Sequence, residues 1–233
     1  MLHGTEQLFY ALLEQQGVEP TAIAWLWQRG TPRSIRRGHV LFEEGAIAFR
    51  SGIVVSGSAK LVRISASGRE SISRLLTRGK WYGLAGLLDR DRIYPATAIA
   101  LEEMHTVEWS PDTLAEALLQ HPSLAFALIC GLIRTLHSAH ERLHQIATQE
   151  VEHRLAYVLL RLATDIGTPS AEGIRIEHGL RREDIAELVG TTVYTVSRIL
   201  RQWARNGWIG VGRKTIVLYR TEPLEQLGGE SVH

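Results

Sequence analysis

The spacing of apolar residues changes repeatedly along the chain, and each change predicts a change of element. Between Thr5 and Arg29, Leu8, Phe9, Leu12, Leu13, Ile23, Trp25 and Leu26 recur at helical spacing with a break at Gly17 and Pro20. That pattern predicts two short helices. From Pro32 to Ser110 the texture becomes short runs rich in β-branched residues. Turn signals punctuate it at Arg37-Gly38, Glu44-Gly45, Ser56-Gly57, Ser67-Gly68 and Arg78-Gly79. Short strands between closely spaced turns predict a closed or double-layered antiparallel sheet, a β-barrel or jelly roll.

Beyond Pro111 the helical period returns, and from Ile129 it is unusually regular. Ile129, Leu132, Leu136, Ala139, Leu143 and Ile146 follow one another at alternating steps of three and four residues, which is the a/d seam of a heptad pattern. A narrow apolar stripe of this kind is covered either by the chain's own sheet domain or by a second copy of itself. Leu and Ile rather than polar residues along it favour a parallel homodimer. A further helix is expected from about Val151 to Asp165, whose Leu155, Val158, Leu159 and Leu162 need a partner. Gly167 to Gly173, with Thr168, Pro169 and Ser170 inside it, reads as a loop, and Gly228 to His233 as a frayed tail.

Length and charge then narrow the reading. At 233 residues the chain suits one large and one small unit, taking roughly 100 to 200 residues per domain. The expected organisation is N-terminal helices over 1–31, a β-roll over 32–125, a dimerisation helix over 126–148 and a C-terminal domain over 149–233. Hydrophobic residues at 45% and charged residues at 22% oppose disorder over most of the length. Lys plus Arg number 26 against 25 Asp plus Glu, so a nucleic-acid site has to be a local patch rather than a property of the whole surface. The single cysteine, Cys130, rules out an intrachain disulfide framework, a four-cysteine zinc site and a cysteine-ligated iron-sulfur cluster built from one chain. It fits a reducing cytoplasm. The N-terminus has no basic region followed by an apolar core, and the apolar run Leu124 to Ile133 is shorter than the roughly 20 residues that span a bilayer. Neither export nor membrane insertion is expected.

The stretch from Leu180 to Ile209 carries the chemistry. Ile185, Ala186, Leu188 and Val189 give a first helix an apolar face, Gly190 supplies a left-handed turn, and Thr192 caps a second helix with core positions Val196, Ile199 and Leu200. This is a helix-turn-helix pattern. Asn206-Gly207 ends the second helix, and Trp208 to Tyr219 reads as a β-hairpin, a wing, with Gly210, Gly212, Arg213 and Lys214 at its tip. No acidic residue occurs between Glu187 and Glu222, whereas Arg198, Arg201, Arg205, Arg213, Lys214 and Arg220 all do. Such a patch binds phosphates with steep salt dependence, and Arg198, early on the second helix, is placed to reach guanine O6 and N7 in a major groove. The alternative is a regulatory module whose winged helix contacts a protein.

The sequence resembles the cyclic-AMP receptor protein and fumarate-nitrate regulator (CRP/FNR) family of bacterial transcription factors over nearly its whole length. Gly38-His-Val-Leu-Phe-Glu-Glu-Gly45, Ser56-Gly57-Ser-Ala-Lys-Leu-Val62, Gly79-Lys-Trp-Tyr-Gly83 and Ala96-Thr97-Ala98 follow the family's β-roll punctuation, and Leu180 to Ile209 follows its DNA-binding signature. The resemblance implies an α+β protein: an effector-binding β-roll, a long dimerisation helix and a winged helix that binds two-fold symmetric DNA. Ile129, Leu132, Leu136, Ala139, Leu143 and Ile146 would form the dimer interface. Thr191, Thr192, Val193, Tyr194, Ser197, Arg198, Arg201, Arg213 and Lys214 would contact double-stranded DNA, and RNA polymerase is an implied partner. Val193, Ser197 and Arg198 resemble the FNR-like branch. Tyr194 departs from the family's usual glutamate, which accepts from a cytosine amino group; a phenol is a weaker acceptor and carries no charge to hold Arg198. A TTGA-like or GTGA-like half-site is the expectation.

The effector pocket, implied at Gly83, Leu84, Arg92, Tyr94, Ala96 and Thr97, departs further. Members that bind cyclic nucleotide carry Gly-Glu and then Arg-Ser-Ala, for the ribose hydroxyl and the cyclic phosphate. Here the positions read Gly83-Leu84 and Tyr94-Pro95-Ala96, with Arg90 and Arg92 nearby. Cyclic AMP in the standard mode is not expected, and the cysteine count excludes an FNR-type cluster. Another small molecule, haem with a gas ligand, or no ligand is left. His137, His140 and His144 lie on one side of the seam helix, where a polar flank is commoner than a metal site. His39 and His105 read as surface or structural residues, and Cys130 as a small packed hydrophobe. An enzyme is not expected: no His-x-His of the cupin kind, Walker loop or Gly-x-Ser-x-Gly occurs, and no paired-carboxylate cluster beyond chance.

Overall fold

The computed structural model describes residues 2–64, 70–87, 92–177, 179–212 and 215–228. They fall into two compact units, Met1–Ser138 and Ala139–His233. In the first, the predicted pair of helices, α1 (Leu2–Gln15) and α2 (Pro20–Arg29), precedes two antiparallel sheets. One sheet holds β1 (Thr31–Ile35), β8 (Met104–Trp109), β3 (Ser51–Ser56) and β6 (Trp81–Tyr82) in that order. The other holds β2 (Val40–Phe42), β7 (Thr97–Ala100), β4 (Ala59–Ile64) and β5 (Glu70–Leu76).

Strand periodicity explains the two-layer core. Side chains alternate faces along a strand. On β3, Ile53 and Val55 pack with Phe9, Leu13, Ile23, Leu26 and Trp109 beneath the helices, whereas Val54 packs with Ile35, Leu61, Leu76, Ala98 and Met104 between the sheets. Covered on both faces, Ser51 to Val55 are all buried. β8 follows the same rule: Val107 and Trp109 join the helical side, and the Trp109 Nε1 donates to the Leu26 carbonyl at 2.8 Å. Met104, and with it Glu108 four residues on, faces the other way. Among the predicted turns, Gly57 is held by space as well as by its φ of 78°, since a Cβ there would lie 2.5 Å from the Glu103 carbonyl oxygen.

After α3 (Pro111–Gln120), capped by the Ser110 hydroxyl accepting from the Thr113 N–H at 3.1 Å, comes α4 (Pro122–Thr148). Leu124, Ala127 and Leu128 anchor its first turns in the helical side of the core. Farther along, the heptad seam is uncovered within the chain: Ile129, Leu132, Leu136, Leu143 and Ile146 are 48 to 66% exposed, and Ala139 is exposed as well. By length and composition alone α4 is apolar enough to cross a membrane. Arg134, His137, His140, Glu141, Arg142 and His144 in its second half make it an amphipathic helix and a poor lipid span.

The second unit contains the end of α4, α5 (Val151–Ile166), β9 (Thr168–Ser170), β10 (Gly173–Glu177), α6 (Arg182–Val189), α7 (Val193–Arg205), β11 (Ile209–Val211), β12 (Thr215–Leu218) and α8 (Glu222–Gly228). Its sheet runs β11-β12-β10-β9. The expected loop over 167–173 is therefore in part strand. Pro169 is tolerated because β9 is an edge strand, where its missing N–H breaks no ladder. The α8 helix lies in a stretch to which the sequence pattern assigned no element; buried Leu224 holds it, and it packs on α5. The expected tail beyond Gly228 lies outside the described residues.

Candidate nucleic-acid interface and effector cavity

The helix-turn-helix is built from local signals. Asp184, itself buried, accepts from the Arg181 N–H at 2.6 Å and starts α6. Gly190, at φ 73° and ψ 48°, ends it in the left-handed conformation that side chains with a Cβ avoid. The Thr192 hydroxyl accepts from the Thr195 N–H at 3.2 Å and opens α7. Val196, Ile199, Leu200 and Trp203 bury one face of α7. The opposite face presents Tyr194, Arg198, Arg201 and Arg205, all exposed, at spacings of four, three and four residues that align them along one stripe. Tyr194 is 73% exposed. Thr192 is exposed at the start of α7, and Thr191, Val193 and Ser197 are partly so. Arg201 Nε donates to the Ser197 carbonyl at 3.0 Å, and its Nη groups donate to no described residue. The wing is present as β11 and β12, with the Gly212 N–H donating to the Thr215 carbonyl at 2.8 Å. Arg213 and Lys214 lie outside the described residues.

Three supports of this motif escaped sequence reasoning because their partners are distant in the chain or are backbone atoms. Arg154 on α5 donates to the carbonyls of Gln149 at 2.7 Å, Val189 at 3.0 Å and Gly190 at 3.4 Å. Arg142 donates to the Glu187 carbonyl at 3.4 Å, and burial, then the charge of Arg161, lowers its pKa. Trp203, fully buried, donates its Nε1 to Glu152 Oε1 at 2.8 Å. The first two meet carbonyls at the C-terminal end of α6 and its turn, where a helix dipole favours cations.

In the β-roll, a cavity of about 240 Å³ opens beside α4, and Gly83, Leu84, Tyr94 and Ala96 are among the residues that line it. Arg92 and Thr97 do not line it. On β7 the alternation that turns Ala96 and Ala98 inward turns Thr97 away, and its hydroxyl accepts from the Glu44 N–H at 3.0 Å. Arg92 is exposed on a stretch whose carbonyl accepts from the Ala48 N–H, and Arg90 lies outside the described residues. The lining that the sequence did not reveal is cationic and helical: Arg74, Lys80, Arg134 and Thr135, together with Leu132 of the seam. Among the described residues no aspartate or glutamate lines the cavity, and Leu84 offers a ribose hydroxyl no acceptor.

Among the described residues no group of three or more histidine, cysteine, aspartate or glutamate side chains is arranged to hold a metal. His137, His140 and His144 are exposed on α4, and Cys130 is partly buried.

A double-sheet β-roll followed by a winged helix-turn-helix with a basic exposed face defines a transcriptional regulator that binds DNA. Comparison with known proteins agrees. The cyclic nucleotide-binding domain family matches residues 32–121, and the Crp-like helix-turn-helix domain family matches residues 153–227. The chain is 33% identical over 210 residues to the CRP-like cAMP-activated global transcriptional regulator of Mycobacterium tuberculosis, covering 90% of this chain and 93% of that one. It is 31% identical over 193 residues to the global nitrogen regulator of Synechococcus elongatus, covering 82% and 86%. The solved structure of FixK2 from Bradyrhizobium japonicum shares the fold, with a TM-score of 0.75 over 87% of this chain and 99% of that one at 22% identity. The chain belongs to the CRP/FNR family, whose members are transcriptional regulators and not enzymes.

Proposed function

We propose that the protein is a cytoplasmic homodimer that binds a palindromic operator and engages RNA polymerase there. The observation that carries this reading is the exposed stripe Tyr194, Arg198, Arg201 and Arg205 on α7, which has no acidic residue on the same helix. The uncovered seam Ile129, Leu132, Leu136, Ala139, Leu143 and Ile146 supplies the second half of the argument. Two copies joined along it would present two α7 helices to successive major grooves, about one turn or roughly 34 Å apart. Arg198 reads guanine, Tyr194 alters the neighbouring position, and Thr191, Thr192, Val193, Ser197, Arg201, Arg213 and Lys214 position the helix and wing on the backbone.

Control comes from the β-roll. A ligand in the cavity beside α4 shifts the dimer between competent and incompetent arrangements through Leu132, a population shift that requires unequal affinity for the two states. Leu84 and the Tyr94-Pro95 pair lack the polar groups of the standard cyclic-AMP mode, so cyclic AMP is not the expected ligand. Selection of binding sites from a random duplex library with freshly purified protein tests the reading. Enrichment of a palindrome with fixed guanines and half-sites one turn apart is the expected result; a consensus without a fixed guanine would overturn it.

A further inference from the structure

A second concavity, of about 530 Å³, opens in the β-roll between β1, β8 and the segment joining β2 to β3. That volume lies within the range of small-molecule sites. Its back wall is aromatic. The rings of Phe42 and Tyr94 stack at 4.3 Å between centroids and 14° between planes, and those of Phe42 and Tyr82 at 5.6 Å and 24°. Phe49, 63% exposed, stands in the lining with the Arg50 guanidinium over its ring at 5.7 Å from the centroid.

Above this wall sits an anchored pair of guanidinium groups. Glu108 is only 2% exposed, and its carboxylate is saturated. Arg33 Nη1 donates to both oxygens at 3.2 Å, Arg50 Nη1 to Oε2 at 3.4 Å, and the Tyr82 hydroxyl to Oε1 at 2.8 Å. Each arginine thus spends one nitrogen on the buried acid. Their Nε and Nη2 groups donate to no described residue, and the two side chains are 41% and 44% exposed. The lining also holds exposed Glu43. Among the described residues its formal charge is therefore balanced, and placement rather than net charge selects the ligand.

We propose that this concavity is a second small-molecule site, separate from the cavity beside α4, and that it takes a flat aromatic carboxylate. Arginine forks pair with carboxylates through two parallel hydrogen bonds, and the buried Glu108 holds these forks in place before a ligand arrives. The carboxylate completes the donors of Arg33 and Arg50. The ring packs against the aromatic wall of Phe42 and Tyr94 and against Phe49, where edge-on aromatic contacts add to burial. Phe42, Tyr82 and Tyr94 also line the cavity beside α4, so the two sites share one aromatic partition.

Calorimetric titration of the full-length protein with 2-naphthoate, and with the uncharged isostere 2-naphthamide, tests the site. Saturable naphthoate binding with the amide at least about tenfold weaker is expected, because the amide forfeits the charge-assisted pair. Phe49→Ala, at an exposed position, and Arg50→Lys, which keeps the charge beside Glu108 but loses the fork, should each weaken naphthoate about fivefold or more. Equal binding of acid and amide would overturn the proposal. So would wild-type affinity in both variants, or loss of binding in Arg134→Gln with Arg50→Lys unaffected, which would put the ligand in the other cavity. No saturable binding below about 1 mM would also overturn it and leave this face to a macromolecular partner.

Discussion

Arg154 on α5 donates its Nε–H to the carbonyl of Val189, the last residue of α6, at 3.0 Å. With its bonds to Gln149 and Gly190, one guanidinium ties the start of α5 to the turn that sets α7. Replacing it with alanine strands those carbonyls. Arg154→Ala should lower the stability of the second unit by about 1–3 kcal/mol, measured by denaturant unfolding. DNA affinity should fall with it, and Arg154→Lys should restore only part, because a lysine cannot span three acceptors.

Arg198 and Arg201 share a stripe but should fail differently. Arg198→Ala should cost about 1–3 kcal/mol against the selected operator and abolish preference at one base pair. Arg201→Ala should weaken all sequences alike and reduce the slope of log K against log salt by about 1. Fluorescence anisotropy on specific and scrambled duplexes across a salt series separates the two.

Tyr194 is 73% exposed and bonds to no described residue. Tyr194→Glu should leave folding unchanged and move the selected consensus at one position per half-site towards cytosine, whose amino group a carboxylate accepts. An unchanged consensus would remove Tyr194 from the reading of bases.

Leu136 is 55% exposed on α4. A carboxylate placed there costs the isolated chain little but would be buried against its counterpart in a dimer. Leu136→Asp should therefore give folded monomers in sedimentation equilibrium, and operator affinity should collapse with the loss of the second half-site contact.

Burial, and after it the negative charge of Glu108, pushes the Tyr82 phenol well above its ordinary value. The unfolded chain releases this proton near pH 10, whereas the folded state retains it. The stability it lends is thus complete below pH 10 and is lost progressively as pH rises beyond that. Tyr82→Phe should flatten this alkaline loss in denaturant midpoints measured across pH. At neutral pH it should lower stability by about 1 kcal/mol, because Glu108 loses a donor.

What the sequence revealed was local. Gly190, Thr192 and the α7 core face were legible because a left-handed turn, a cap and a helical period are encoded within a few neighbouring residues. The double-sheet architecture was legible from turn spacing. Thr97 was misplaced because a one-residue step along a strand reverses the face, and register depends on pairing with β4 and β2. Arg154 and the Trp203 bond to Glu152 were invisible because their partners lie 35 and 51 residues away. Pro169 hid β9, since its permission comes from an edge position that only the sheet order defines.

Leu132 belongs to the wall of the cavity beside α4 and to the exposed seam at once. In a dimer, whatever enters one cavity presses on a side chain that the other copy also touches. Occupancy of the first cavity then changes the affinity of the second, and the titration curve of a true effector departs from a simple hyperbola. The response to concentration would be set by the same leucine that holds the pair together.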